Sequence, residues 1–182
     1  MGYAIAQEAL AMGAKVTLVT GPTSLTAPSG VETVQIETTE ELHKVVSSRF
    51  AKCDCLIMAA APADYAPNEV AGEKIKKSTG HLQLDLKPTK DILKEMGQKK
   101  KKQILVGFAL ETHNGVDNAR KKLKEKNLDL IVLNNPRDEG AAFDHDTNRV
   151  TIIRAGKKPE EWPLMGKSEV ASKLLALIHS LL

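Results

Sequence analysis

Between Ala59 and Lys77 the chain reads AAAPADYAPNEVAGEKIKK, and three kinds of residue there suit a phosphorylated ligand. Ala59, Ala60 and Ala61 are small enough for backbone to approach a ligand closely. Asp64 follows, an acid able to hold hydroxyls or a metal. Lys74, Lys76 and Lys77 supply the positive charge that phosphate oxygens attract. Together they form a kit for a nucleotide. Each also has a plainer reading: Asp64 as a turn or helix-cap aspartate, and the lysines as a solvated basic loop.

Further along, Phe108 sits in GFALET, where it serves equally as core or as a platform for a stacked base. The following segment carries Lys121, Lys122, Lys124 and Lys126, of which Lys122 and Lys126 share a helical face and could reach one anion. Other chemistries find less support. The five histidines are scattered, no acid or thiol grouping has metal-site spacing, and neither G-x-S-x-G nor G-x-G-x-x-G occurs.

The elements that must position these residues alternate. Gly2 to Met12 has a helical apolar face (Ile5, Ala6, Ala9, Leu10), with Gly13 as its left-handed stop. Lys15 to Thr20 and Val31 to Ile36 read as strands. Thr38 and Glu41 form a capping box for a helix through Phe50, and Asp54 to Ala61 reads as a strand buried on both faces. Leu82, Leu84 and Leu86 alternate as a half-exposed strand would. Asp91 opens a short helix, Ile104 to Leu110 and Leu128 to Leu133 are buried strands, and Val116 to Lys126 is a helix between them. Arg149 to Arg154 and Glu161 to Leu164 form an edge hairpin, and Ser168 caps a last helix to Leu182.

This order predicts an α/β, Rossmann-like doubly wound fold: a mostly parallel sheet with helices on both faces and the hairpin at one edge. The first helix has no strand ahead of it, so either the fold is permuted or the usual first strand and its Gly-rich loop are missing from residues 1–182, which otherwise make one nucleotide-binding domain. Ligands of such folds bind beyond the carboxyl ends of strands. Ala59 to Asp64, Gly107 to Thr112 and Asn134 to Pro136 all fall there.

Composition agrees. A chain of 182 residues with 27% charged and 42% hydrophobic residues is that of a globular domain, and a net charge of +3 gives no support for nucleic-acid binding. Cys53 and Cys55, two apart, would face one side of a strand as reduced core residues. No apolar run approaches a membrane span, and the expected location is the cytoplasm.

Six stretches in this order, AAAPADY, EKIKK, KPTKDIL, VGFALET, ARKKLKEKNLDLIVLN and FDHDTNRVTII, resemble phosphopantothenoylcysteine synthetase, or phosphopantothenate-cysteine ligase. In most bacteria this is the carboxyl-terminal half of a bifunctional coenzyme A biosynthesis flavoprotein. The resemblance covers nearly the whole chain. It implies a ligase that joins 4'-phosphopantothenate to cysteine through an acyl-cytidylate, using CTP (or ATP) and Mg2+ and releasing CMP and pyrophosphate. It further implies a homodimer, with FMN only in a fused or associated decarboxylase half.

Motif by motif, the resemblance assigns nucleotide binding to Ala60, Ala61, Asp64, Lys74, Pro88, Thr89, Lys90, Asp91, Phe108, Lys122 and Lys126. Lys74 is the catalytic assignment, contacting phosphates and developing charge, and Ile75 to Leu82 matches a flap over the intermediate. No residue is assigned to a metal or to cysteine. The family's asparagine for the pantothenate carboxylate lies in a stretch expected upstream of Met1, and Ala142 and Asp144 around Phe143 depart from the family's glycines. Two alternatives remain open to this reading: an NAD(P)-dependent oxidoreductase on the same sheet, and a truncated nucleotide-binding module without turnover.

Overall fold

A computed structural model describes residues 1–77, 81–135 and 146–182. The elements run α1 (Gly2–Ala11), β1 (Thr17–Thr20), β2 (Glu32–Gln35), α2 (Thr39–Phe50), β3 (Cys55–Met58), β4 (Tyr65–Pro67), β5 (Leu86–Pro88) and α3 (Ile92–Lys99). Then follow β6 (Ile104–Leu110), α4 (Gly115–Glu125), β7 (Leu130–Asn134), β8 (Thr147–Arg154), β9 (Glu160–Gly166) and α5 (Lys167–His179).

Five strands form one sheet in the order β3-β6-β7-β8-β9. β3, β6 and β7 are parallel, while β8 and β9 return antiparallel and close one edge. β1 and β2 make a separate parallel pair, and β4 and β5 a short antiparallel arm. The fold is the mixed, mostly parallel, Rossmann-like sheet expected.

Alternation along β6 explains the two layers of core. Leu105 and Ala109 turn to one face, where they join Leu42 and Phe50 of α2, Met96 of α3 and Leu123 of α4. Ile104 and Val106 turn to the other, against Ile5 of α1 and Val170, Leu174 and Ile178 of α5. A strand apolar on both faces therefore receives helices on both. Packing of α3 against the end of α4 needs Gly97. A Cβ there would lie 1.9 Å from the carbonyl oxygen of Lys126, so no larger residue fits without backbone movement.

Local signals account for several helix ends. Thr38 and Glu41 make the reciprocal capping box of α2, Asp91 caps α3 by accepting from the Lys94 amide, and Gly13 takes φ +85° after α1. The edge hairpin is present as β8 and β9, and Pro163 lies within the outer strand, β9.

Other expectations need correction. Leu82 and Leu84 lie outside any strand and are exposed, and only Leu86 begins β5, because the arm pairs over just three residues. Ser168 falls inside the first turn of α5, whose N-cap is Gly166 without a side-chain bond. β3 spans four residues, of which only Met58 is fully buried, since β6 is its one paired neighbour. Cys53 precedes that strand, so alternation does not extend to it: it packs on the α2 side, and Cys55 on the α1 and α5 side. Both thiols are free, and burial pushes that of Cys55 up to about 12. Lys100 reaches both carboxylate oxygens of Asp129 at 2.6 Å.

Candidate functional site

The register sets the carboxyl ends of three parallel strands side by side: Met58 opposite Gly107, and Leu110 opposite Asn134. The Glu111 amide donates to the Asn134 carbonyl at 3.1 Å and ties two of these tips together. Beyond this edge the expected residues are strung along a chain of polar contacts.

Asp64 is exposed just before β4. Its carbonyl accepts the Thr89 amide at 2.9 Å, and the Thr89 hydroxyl donates to the Ala63 carbonyl at 2.6 Å. These two bonds hold the stretch after β3 against the stretch before α3. Two residues on, Asp91 both caps α3 and meets Lys126: Nζ lies 3.1 Å from Oδ1 and 2.9 Å from Oδ2. One turn back along α4, Lys122 donates to Glu111 Oε1 at 2.6 Å, and Asn118 donates to Glu111 Oε2 at 3.0 Å. The hydrogen bond from Lys122 is the main force holding the Glu111 carboxyl below its ordinary value of 4.5, against the opposing effect of burial, with Asn118 adding to it.

Asp64, Thr89, Asp91, Lys126 and Lys122 thus belong to one connected set of contacts. Phe108 belongs to the same strand end but not to the same face. It is half-buried against the α1 and α5 core, while α4 packs on the opposite layer. A ligand touching both Phe108 and the two lysines must cross the strand tips. Ala60 and Ala61 are exposed past the end of β3, Pro88 ends β5 opposite Tyr65, and Lys90 is exposed between Thr89 and Asp91.

Lys74 stands apart. It is exposed in the stretch between β4 and β5, and no hydrogen bond or ion pair ties it to the edge among the described residues. The described residues of the expected flap, Ile75 to Lys77 with His81 and Leu82, are likewise exposed. Its residues 78–80 lie outside the described residues, as do Pro136, Ala142, Phe143 and Asp144.

Glu111 and Asn134 fall within the strand-end stretches that the sequence singles out, but neither is assigned a role there. Glu111 was visible inside GFALET, but only tertiary packing of α4 on β6 reveals that it holds Lys122. Asn134, the last residue of β7, has a buried Oδ1 with no hydrogen-bond partner among the described residues. An orphaned amide oxygen at a strand tip is a group for a ligand or an ordered water to satisfy.

Taken together, the edge offers cations already held by carboxylates, an aromatic ring across the tips and unengaged backbone past β3. That arrangement can fix and neutralise phosphates. It does not offer a metal cage: among the described residues no group of three or more His, Cys, Asp or Glu is placed to hold an ion. Nor, among them, is any helix long and apolar enough to cross a membrane.

Comparison with known proteins adds a family. The model described as the DNA/pantothenate metabolism flavoprotein C-terminal domain matches residues 1–182. The chain is 46% identical over 182 residues to the coenzyme A biosynthesis bifunctional protein CoaBC of Bacillus subtilis, covering 100% of this chain and 45% of that protein. It is 45% identical over 185 residues to a cysteine/cysteine sulfinic acid decarboxylase of an unknown prokaryotic organism, covering 98% of this chain and 52% of that protein. The chain therefore spans about half the length of the curated relatives it matches. Among solved structures, the C-terminal domain of a coenzyme A biosynthesis bifunctional protein CoaBC superposes with a TM-score of 0.83 at 40% identity, covering 98% of this chain and 80% of that one.

Proposed function

The chain belongs to the family of DNA/pantothenate metabolism flavoprotein C-terminal domains, and from that premise we propose that it is a phosphopantothenate-cysteine ligase of coenzyme A biosynthesis. The observation that carries this reading is the linked edge Asp64, Thr89, Asp91, Lys126, Lys122 and Glu111, at the strand ends where such folds take nucleotides. The likeness to CoaBC proteins supports the substrates. The name of the decarboxylase relative is accommodated, because the chain accounts for only 52% of that protein. Residues 1–182 act as one synthetase domain in this reading, and a flavin-bearing decarboxylase half is its fused or associated partner, the flavin staying with that half.

A carboxylate repels nucleophiles and carries no competent leaving group, so the acid must first be activated. An oxygen of the phosphopantothenate carboxylate attacks the α-phosphorus of CTP or ATP. The bond from that phosphorus to the bridging oxygen breaks, and pyrophosphate leaves. Cysteine's amine then attacks the acyl carbon, the carbon to phosphate-oxygen bond breaks with loss of the nucleoside monophosphate, and the nitrogen releases a proton. Lys122 and Lys126 meet the phosphates, exchanging the carboxylates of Glu111 and Asp91 for phosphate oxygens. Asp64 holds the ribose hydroxyls, and Ala60, Ala61, Pro88, Thr89 and Lys90 line the nucleotide with backbone and short side chains. Phe108 takes the base across the strand tips. Lys74, carried over the edge by its arm, neutralises charge at the reacting phosphorus. The described residues offer no cage for magnesium, so the ion enters this reading only as the companion of the triphosphate, and no step is assigned to it.

The arm also supplies the reason for a homodimer. Tyr65, Val70, Ile75, Leu82, Leu84 and Leu86 are exposed on or beside β4 and β5, with Val70 at 87%. A two-stranded ribbon of this length is marginal alone, and a second copy of the chain covers its apolar side chains.

The decisive measurement is pyrophosphate release with phosphopantothenate, cysteine, and CTP or ATP in parallel. Release that requires phosphopantothenate and a triphosphate supports the ligase, and the faster nucleotide identifies the co-substrate. No release, together with thermal stabilisation by NADP alone, overturns it in favour of an oxidoreductase.

A further inference from the structure

Helix α4 carries two sets of cations in different circumstances. Lys122 and Lys126 are held by Glu111 and Asp91, and Lys121 lies 3.9 Å from Glu125. Arg120 and Lys124, four apart on another face, are exposed, and their side chains make no ion pair or hydrogen bond among the described residues. Like charges at this spacing cost a helix stability, so the fold itself gives no reason for them.

Both line an open hollow of about 690 Å³ that Arg154, Lys157 and Lys158 close from the β8–β9 hairpin. Among the described residues, Arg154 is the one of these five cations that makes an ion pair, with Glu160 at 3.6 Å. The hollow is floored by buried Leu123, Leu128 and Ile153. Its hairpin side lies at the end of β7 away from the candidate site, and α4 carries residues of both. Arg154 pairs with Leu130, the first residue of β7, whereas Asn134 at the other end of that strand marks the ligase edge.

We propose that this hollow is a second anion site, binding a small organic molecule that carries two or more phosphate groups. Its volume falls in the range of small-molecule pockets. Two guanidinium groups and three ammonium groups converging on one concavity suit clustered phosphate oxygens, which arginine meets in bidentate fashion. The apolar floor receives the organic part. Convergence on a single depression, in a chain whose net charge is only +3, distinguishes the site from the extended basic stripe that a nucleic acid needs. The inference is independent of the ligase reading, since it uses none of the residues assigned to that reaction.

Titration of the isotope-labelled protein with ADP and with tripolyphosphate, followed by NMR, tests it. The amides of Gly156 and Lys157 report on the hollow, and that of Phe108 on the other edge. Saturable shifts of the hairpin amides are expected with both anions, and shifts of the Leu128 and Ile153 methyl groups with ADP alone. Replacing both turn lysines, Lys157→Ser with Lys158→Ser, should weaken the hairpin response about tenfold or more while circular dichroism and Tm stay unchanged. Lys101→Ser with Lys102→Ser, exposed lysines that do not line the hollow, should leave the response as it was. The proposal is overturned if shifts are confined to Phe108 and its neighbours, if the turn variant titrates like the parent, or if the Lys101 and Lys102 variant loses as much. Identical methyl responses to both anions, or a response only to an oligonucleotide, would overturn it too.

Discussion

The carboxyl edge of the β3-β6-β7 sheet and the β4–β5 arm hold their candidate residues in opposite physical circumstances. At the edge, Lys122 and Lys126 are pinned by carboxylates over a buried strand, so little ordering remains to be done when phosphates arrive. On the arm, Lys74 is exposed among apolar side chains that the protomer does not cover. In the proposed ligase the contrast separates two tasks: holding a triphosphate in place, and delivering charge to the reacting phosphorus while covering it. Preorganised groups suit the first. A group on an uncovered arm suits the second, because closure can exclude water from a labile anhydride.

The sharpest way to break this contrast is Lys74→Gln. Amide formation should fall by roughly 10²–10³-fold with Tm unchanged, as expected for a side chain without partners in the protomer. Unaltered turnover would show that the arm does not deliver the charge. Next in size, Leu82→Asp with Leu84→Asp should convert dimer to monomer in sedimentation, weakening association by about 10²-fold without unfolding the protomer. A monomeric parent, or a variant that stays dimeric, removes the arm as the interface. Gly97→Ala probes the rigid side: its Cβ must displace the Lys126 carbonyl, costing about 2–3 kcal/mol and lowering Tm by roughly 5–10 °C. Loss of Lys126 from its place should weaken nucleotide binding in parallel.

The smallest effect concerns Glu111. Its carboxyl is depressed in the folded protein, chiefly by the Lys122 hydrogen bond, so the stability it contributes is present above the ordinary value of 4.5 and is lost as pH falls through the lower, folded value. Glu111→Gln should flatten that part of the acid limb in a pH series of Tm, and an unchanged limb would show that the pair contributes nothing. Lys122 is 45% exposed, so solvent screening keeps the effect well below that of Gly97→Ala.

How much of this was legible beforehand follows the same division. Strands buried on both faces, such as β6 and β7, and helices with capping signals, such as α2 and α3, were written in periodicity and short spacing. Leu82, Leu84 and Leu86 misled because their alternation was read as facing a core, whereas the protomer leaves all three exposed. Ser168 misled because the backbone enters α5 at Gly166, a choice made by the preceding strand. The family resemblance grouped Asp64, Asp91, Lys122 and Lys126 into one site, but it could not tell that Phe108 turns to the other layer. Glu111 and Asn134 acquire meaning only when neighbouring strands end at the same height.

Strand β9 has a bearing on how copies of the protein can meet. Its sequence, Glu160 to Gly166, places two acids at the start and Pro163 in the middle, and among the described residues no strand pairs with its outer side. A proline there cannot donate to a neighbouring backbone, and paired negative charge repels an identical edge. Stacking of sheets end to end into open polymers is thereby discouraged at this rim of the main sheet. Under the proposed homodimer, self-association falls instead to the β4–β5 ribbon, whose apolar side chains are exposed, so one surface can be adhesive without the molecule becoming generally sticky.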